Sequence, residues 1–262
     1  MAATFSVRIQ ALVGSVTESE IDDWCAEGAK EIINSLPPRL KEKCMTATGV
    51  GTDSVVDLDG LGEILYVTRK NADSGYYTEC RQVPSMFGGL TTDSSNIIHY
   101  ATATDPVYWI DGDTSGAATL YVKPTPTSNQ TAILHHVGYP TVDASAISTI
   151  PNFPDEAEYL VILYASIKVL QNKMNEMKDS IVHSDQDGTW TTANTSGQNQ
   201  GWEQVKHFIE NEEDAELGQI QIAALSGELQ QFVTEYQWYQ TQHASLKQDY
   251  AQGLAILKGG GE

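Results

Sequence analysis

The sequence predicts an α+β fold: a long helical bundle, built from an N-terminal helix and two long C-terminal helices, with an inserted antiparallel β region of sandwich or barrel-like form. Three observations predict it. From Leu229 onward, Leu229, Phe232, Tyr236, Tyr239, His243, Leu246, Tyr250, Gly253 and Leu257 alternate steps of three and four, the 3.5-residue period of a coiled-coil seam. From about Thr46 to Pro140 the apolar period falls to two and turn residues recur every eight to twelve positions, which marks strands. On either side of that stretch helical spacing returns. The expected segments are therefore 1–45, 46–150 and 151–262, with a polar loop at about 179–201.

Residues 4–14 carry two patterns at once. Phe5, Val7, Ile9, Ala11 and Val13 alternate as in a strand, while Phe5, Ile9, Leu12 and Val13 suit one helical face; a short helix is the expectation. Thr17 with Glu20 makes a capping box that opens a second helix. Its apolar face is Ile21, Trp24, Cys25, Ala29, Ile32, Ile33 and Leu36, and Pro37 stops it. Arg39 to Met45 reads as one or two further turns. Arg39, Lys41 and Lys43 form the most basic patch, which either grips a phosphate or an acidic neighbour or stays solvated.

The expected strands are Ser54–Leu58, Glu63–Arg69, Tyr76–Val83, Ile97–Ala101, Val107–Ile110, Ala117–Val122 and Thr131–Val137. Asp59-Gly60, Ser74-Gly75 and Asp111-Gly112 punctuate them. Pro154 followed by Asp155 and Glu156 is a helix start, because a missing N–H costs nothing there and acids favour the first turn. That helix, expected to run to about Met177, is apolar on most sides through Tyr159, Leu160, Ile162, Leu163, Ala165, Ile167, Leu170 and Met174. The last helix is expected over about Glu203 to Lys258, a rod roughly 60 Å long at about 1.5 Å per residue. A seam of that length needs another long helix beside it, from this chain or from a copy of it. The contact residues expected are Phe232, Tyr236, Tyr239, Leu246, Tyr250, Leu254 and Leu257. The acidic run Glu210, Glu212, Glu213 and Asp214 is either a solvated face or a ring of charge facing a pore.

Thirty-five acids against fifteen bases give a net charge of −20, which repels nucleic acid and anionic membrane surfaces. No run of eighteen apolar residues exists to span a membrane, and the N-terminus lacks the profile of a secretory signal. Cys25, Cys44 and Cys80 lie outside any metal spacing and read as reduced thiols, in the core or half-buried, of a protein made in a cytosol. His135 and His136 are neighbours on one strand, so they point to opposite faces and cannot share a metal. His243 lies on the seam, where a hydrogen-bonded core histidine is expected. Asp57-Leu58-Asp59-Gly60 and Asp185-Gln186-Asp187-Gly188 lack the leading acid and closing glutamate of a calcium loop. No nucleophile elbow, phosphate loop or dinucleotide fingerprint is present. No enzyme, cofactor or metal is expected.

Several stretches carry a resemblance. Ile21-Asp22-Asp23-Trp24 with Gly28-Ala29-Lys30-Glu31-Ile32-Ile33-Asn34, Tyr100 to Tyr108, Phe153 to Tyr159, and Ser226 to Leu229 with Thr234 to Tyr239 resemble virion structural proteins of marine tailed phages. The pattern is similar to that of head-to-tail adaptor (connector) proteins of the neck. The resemblance implies a homo-oligomeric ring, usually of twelve copies, made in the host bacterial cytoplasm. The ring sits between the portal protein and a tail or nozzle protein, and double-stranded DNA passes through it transiently. It also leaves two alternatives open, a tail-tip or fibre-attachment protein and an adaptor with peptidoglycan-hydrolase activity.

Overall fold

The computed structural model describes residues 3–16, 18–52, 55–71, 74–112, 118–186 and 215–259. It is α+β: several helices and two four-stranded sheets, one wholly antiparallel and one mixed. The chain divides into two compact units. The first comprises 1–28, 143–148 and 159–256; the second comprises 29–142, 149–158 and 257–262.

In the first unit, α1 (Phe5–Val13) settles the ambiguity of the opening residues in favour of helix. Thr4 makes no side-chain cap. Instead the Phe5 and Ser6 amides donate to the carbonyls of Ile147 and Ala144 at 3.2 and 2.8 Å, which satisfies donors every helix start leaves open. Those carbonyls are held by a turn in which the Asp143 carboxylate accepts from Ser145 and Ala146. The Asp143 carboxyl is held below its usual range by the Ser145 hydroxyl and the Ala146 amide. A second carboxylate, Asp22 on α2 (Glu18–Ser35), accepts from the Ala144 amide at 2.7 Å. Along α2, Ile21, Cys25, Ala29, Ile32 and Ile33 are fully buried, as its apolar face requires.

The second unit begins within α2, at Ala29, and continues through α3 (Pro38–Lys41) and a 3-10 turn, Glu42–Cys44. Lys41 meets Glu63 at 2.5 Å and Lys43 meets Glu156 at 2.7 Å, so two of the three bases in the basic patch grip acidic neighbours. Eight strands follow: β1 (Met45–Val50), β2 (Val55–Asp57), β3 (Ile64–Lys70), β4 (Tyr77–Glu79), β5 (Arg81–Gln82), β6 (Val107–Gly112), β7 (Ala118–Lys123) and β8 (Ala132–Val137). They form sheets of order β1-β8-β3-β4 and β2-β7-β6-β5. Val50, Val67, Leu134 and Ala132 from the first sheet meet Tyr108, Leu120 and Val122 from the second, with Cys80, in one buried cluster.

Three expectations in this region are corrected. Ile97–Ala101 is no strand: Asn96 and Asp93 accept from the amides of His99 and Ser95, and such local bonds outcompete a ladder. Ile97 is left 93% exposed. Tyr76–Val83 is two strands, because the Cys80 amide donates to Val67 of one sheet and the Arg81 amide to Pro106 beside the other. As a result β5 runs parallel to β6, not antiparallel. Finally, Met45–Val50 forms β1, where the sequence predicts the end of a helical turn at Met45 and no strand before Ser54.

α4 (Glu158–Gln186) follows a 3-10 turn at Asp155–Ala157 capped by Pro154. It runs past Met177, so helix replaces the start of the expected polar loop. The rest of that loop and the start of the expected last helix lie outside the described residues. α5 (Ala215–Gly259) is 45 residues long.

Candidate assembly interface

α5 is the element that carries the seam, and from Phe232 onward its exposure follows the heptad. Phe232, Tyr236, Tyr239, His243, Tyr250, Leu254 and Leu257 are half-buried and Leu246 is only 4% exposed, while most intervening residues are exposed. The C-terminal part of the stripe is matched within the first unit. The Tyr250 ring meets the Tyr164 ring of α4 at 5.9 Å between centroids, tilted by 56°. Gly253 lies against Tyr159 and Leu160 so closely that a Cβ there would collide with both. Tyr239 donates to Glu235 at 3.0 Å, and Lys173 of α4 places Nζ 5.8 Å from its ring centre. That ammonium also donates to the Val13 carbonyl at 2.8 Å, which ties α1 to α4. Burial holds Lys173 below the usual lysine value, and burial with the Glu235 hydrogen bond pushes Tyr239 up.

The N-terminal part of α5 differs. Ile220, Ile222, Leu229, Val233 and Trp238 are all exposed, Leu229 at 58% and Trp238 at 51%. A shallow hollow beside Gly227 is lined by Gln230, Gln231, Thr234, Glu235, Trp238 and Tyr239. Leu229 opens the heptad stripe, but Val233 and Trp238 stand off it, so the stripe alone does not find the whole patch. The signal that does is the density of Ile, Leu, Val and Trp outside the repeat. The four acids Glu210, Glu212, Glu213 and Asp214 lie outside the described residues.

Among the described residues, two histidines and the three cysteines are built into the fold. His136 is buried between the Val137 carbonyl and the Thr48 hydroxyl, while His135 stacks on Tyr66 at 4.4 Å on the opposite face. Cys25, Cys44 and Cys80 are free and buried, and burial pushes their thiols up to about 12, 11 and 12; thiols that remain protonated are poor nucleophiles. Among the described residues no group of three His, Cys, Asp or Glu is placed to hold a metal, and no helix is long and apolar enough to cross a membrane.

His243 corrects one expectation: among the described residues its buried Nε2 has no hydrogen-bond partner. Burial, helped by Lys247, lowers its pKa; burial, helped by His136, lowers that of His135. A histidine held neutral by folding stabilises the fold above its unfolded pKa of about 6.5 and loses that contribution as pH falls below it. The thermal unfolding midpoint is therefore expected to drop between about pH 7 and 5. His243→Gln should flatten that slope, as measured by calorimetry across this window.

Residues 2–204 match the family described as SU10 adaptor protein. The chain belongs to the SU10 adaptor protein family. No curated protein matches the sequence. The match spans α1 to α4 and ends before α5. Membership identifies a phage adaptor protein, a component of the virion that works by contact with other phage structural proteins.

Proposed function

We propose that this adaptor closes into a ring, of twelve copies, between the portal and the tail or nozzle of a tailed phage of the marine type, and that DNA passes through its opening. It is structural rather than catalytic. Residues 1–45 and 151–262 act as the ring wall, a long helical bundle, and residues 46–150 act as an inserted sandwich that reaches the tail component. Ring assembly takes place in the host cytoplasm and the finished collar sits in the virion neck.

The observation that carries this reading is the divided seam of α5. Its C-terminal half, from Tyr239 to Gly253, is occupied by α4. Its N-terminal half leaves Leu229, Val233 and Trp238 in water, and exposed apolar surface on that scale is what an interface leaves in a free subunit. Phe232, Tyr236 and Trp238 then serve contacts between copies, whereas Tyr250, Leu246 and Leu254 serve contacts within one. The net charge of −20 fits a channel that DNA crosses without sticking. In that arrangement Glu210, Glu212, Glu213 and Asp214 face the opening.

Negative-stain imaging of the purified chain, alone and with its portal, tests the proposal. Open twelvefold rings are the expected result. Trimers, sixfold objects or a chain that stays monomeric with portal present at high concentration would overturn it.

A further inference from the structure

The antiparallel sheet ends in two strands whose outer edges are unoccupied among the described residues, β1 and β4. On β1 the ladder fixes which backbone groups are spare. Gly138 donates to the Cys44 carbonyl at 2.9 Å and the register pairs Thr46 with His136 and Thr48 with Leu134. Hydrogen-bonded pairs alternate in an antiparallel ladder. Thr46, Thr48 and Val50 therefore turn their amides and carbonyls toward β8, and Ala47 and Gly49 turn theirs away. On β4, Cys80 donates to Val67 at 2.7 Å and Asn71 to Tyr76 at 2.9 Å, so Thr78 faces β3 while Tyr77 and Glu79 face outward. All four outward residues are exposed. β1 contains no Pro, charge or bulge of the kind that blunts an edge, and β4, three residues long, carries one charge, Glu79.

Direction decides what fits. Every step across β1-β8-β3-β4 is antiparallel, so β1 and β4 run opposite ways. A second copy in the same orientation therefore lays its β1 antiparallel to β4, and the alternation continues without a break. The other sheet lacks this property. Its β5 runs parallel to β6, so β2 and β5 point the same way and their junction would be parallel, between strands of three and two residues.

We propose that β4 of one copy pairs with β1 of the next, Tyr77 opposite Gly49 and Glu79 opposite Ala47, so that the sheet runs on from subunit to subunit. The inference rests on the ring reading and names a second contact of that ring. Each of the two pairs exchanges an N–H and a carbonyl in both directions. The contact is heterologous, the kind that closes into a ring when the rotation allows. Ala47 and Gly49 take no room from the bulkier Tyr77 and Glu79, and the space around Gly49 is open. Tyr77 keeps its own bond to Thr131 at 2.9 Å on the sheet face.

Ala47→Pro and Gly49→Pro each delete one outward N–H and leave the β1–β8 ladder intact, since proline is tolerated at edge positions whose amide faces away. Both variants should keep the wild-type circular dichroism and melt normally, yet their ring population in sedimentation velocity should fall about tenfold or more. Gly49→Ala, which keeps the amide, should form rings as wild type does. Ala47→Cys combined with Glu79→Cys should give a ladder of covalent multimers on oxidation, because hydrogen-bonded neighbours lie about 5.5 Å apart at Cα. The wild-type chain, whose three thiols are buried, should give none. Rings unchanged in both proline variants, or rings with no cross-linked ladder, overturn the edge pairing and leave the adaptor reading standing. Wild-type chain that never forms rings overturns both. If the proline variants unfold, the cross-link alone decides.

Discussion

Cutting Leu246 and Trp238 back to alanine should separate two jobs of one helix. Among the described residues of α5, Leu246 is the one large apolar side chain that is almost completely buried, at 4% exposure. Its removal leaves a cavity in the first unit, so Leu246→Ala should cost about 2 to 4 kcal/mol of unfolding free energy. Trp238 is 51% exposed and stands at the rim of the hollow beside Gly227. Surface positions of that kind change unfolding free energy by about 0.5 kcal/mol or less. At the centre of a contact between copies, however, a tryptophan is worth about 2 kcal/mol or more, roughly a thirtyfold weakening of association. Trp238→Ala and Tyr236→Ala should thus melt like wild type and assemble poorly. Tyr250→Ala behaves differently, because its ring packs on Tyr164 and its loss shows first in denaturant unfolding. If sedimentation finds the rings of Trp238→Ala and Tyr236→Ala unchanged, the seam is internal along its whole length.

What the sequence made legible was whatever depends on local periodicity. The heptad of α5, the apolar face of α2, the Pro154 helix start and five of the seven expected strands follow from side-chain spacing alone. What it hid depends on partners distant in the chain. Met45–Val50 has one buried apolar residue, Val50, among Thr, Ala and Gly; it is a strand because β8 offers six residues in register, which no local pattern reveals. The split at Cys80 is decided by Val67 and Pro106 bidding for consecutive amides. Ile97 and Ile98 look like strand residues by composition, but Asp93 and Asn96 sit just before them and bind the backbone first. For the candidate interface, the repeat marked the side of α5 that is least exposed. It could not divide that side between α4 and a neighbour, since Tyr239 and Tyr236 look alike in a heptad and differ only in what α4 can reach.

The glycines of the helical unit allow a sharper test, because one chemical change should have three outcomes. Gly227→Ala meets nothing within 4 Å. It should gain the helix propensity that glycine lacks, stabilising by about 0.5 to 1 kcal/mol. Gly253→Ala, twenty-six positions on in the same helix, drives its methyl into the Tyr159 hydroxyl and the Leu160 side chain. Tyr159 is partly exposed and can swing aside, but Leu160 is fully buried, so a net loss of about 1 to 2 kcal/mol is expected. Gly28→Ala on α2 is worse placed. Its Cβ would stand 2.7 Å from Cδ1, 3.0 Å from Cγ and 3.1 Å from Cβ of Tyr164, the near end of the side chain, which moves only if the backbone moves. Tyr164 is half-buried, and Tyr250 at 5.9 Å and the Lys168 Nζ at 5.3 Å from its ring centre narrow the room it has to retreat. The loss should reach about 2 to 3 kcal/mol. Because Tyr164 transmits the push to Tyr250, Gly28→Ala and Tyr250→Ala should also be less than additive in a double-mutant cycle. Full additivity would mean that α2, α4 and α5 do not meet at this ring, and the occupied half of the seam would have to be sought elsewhere.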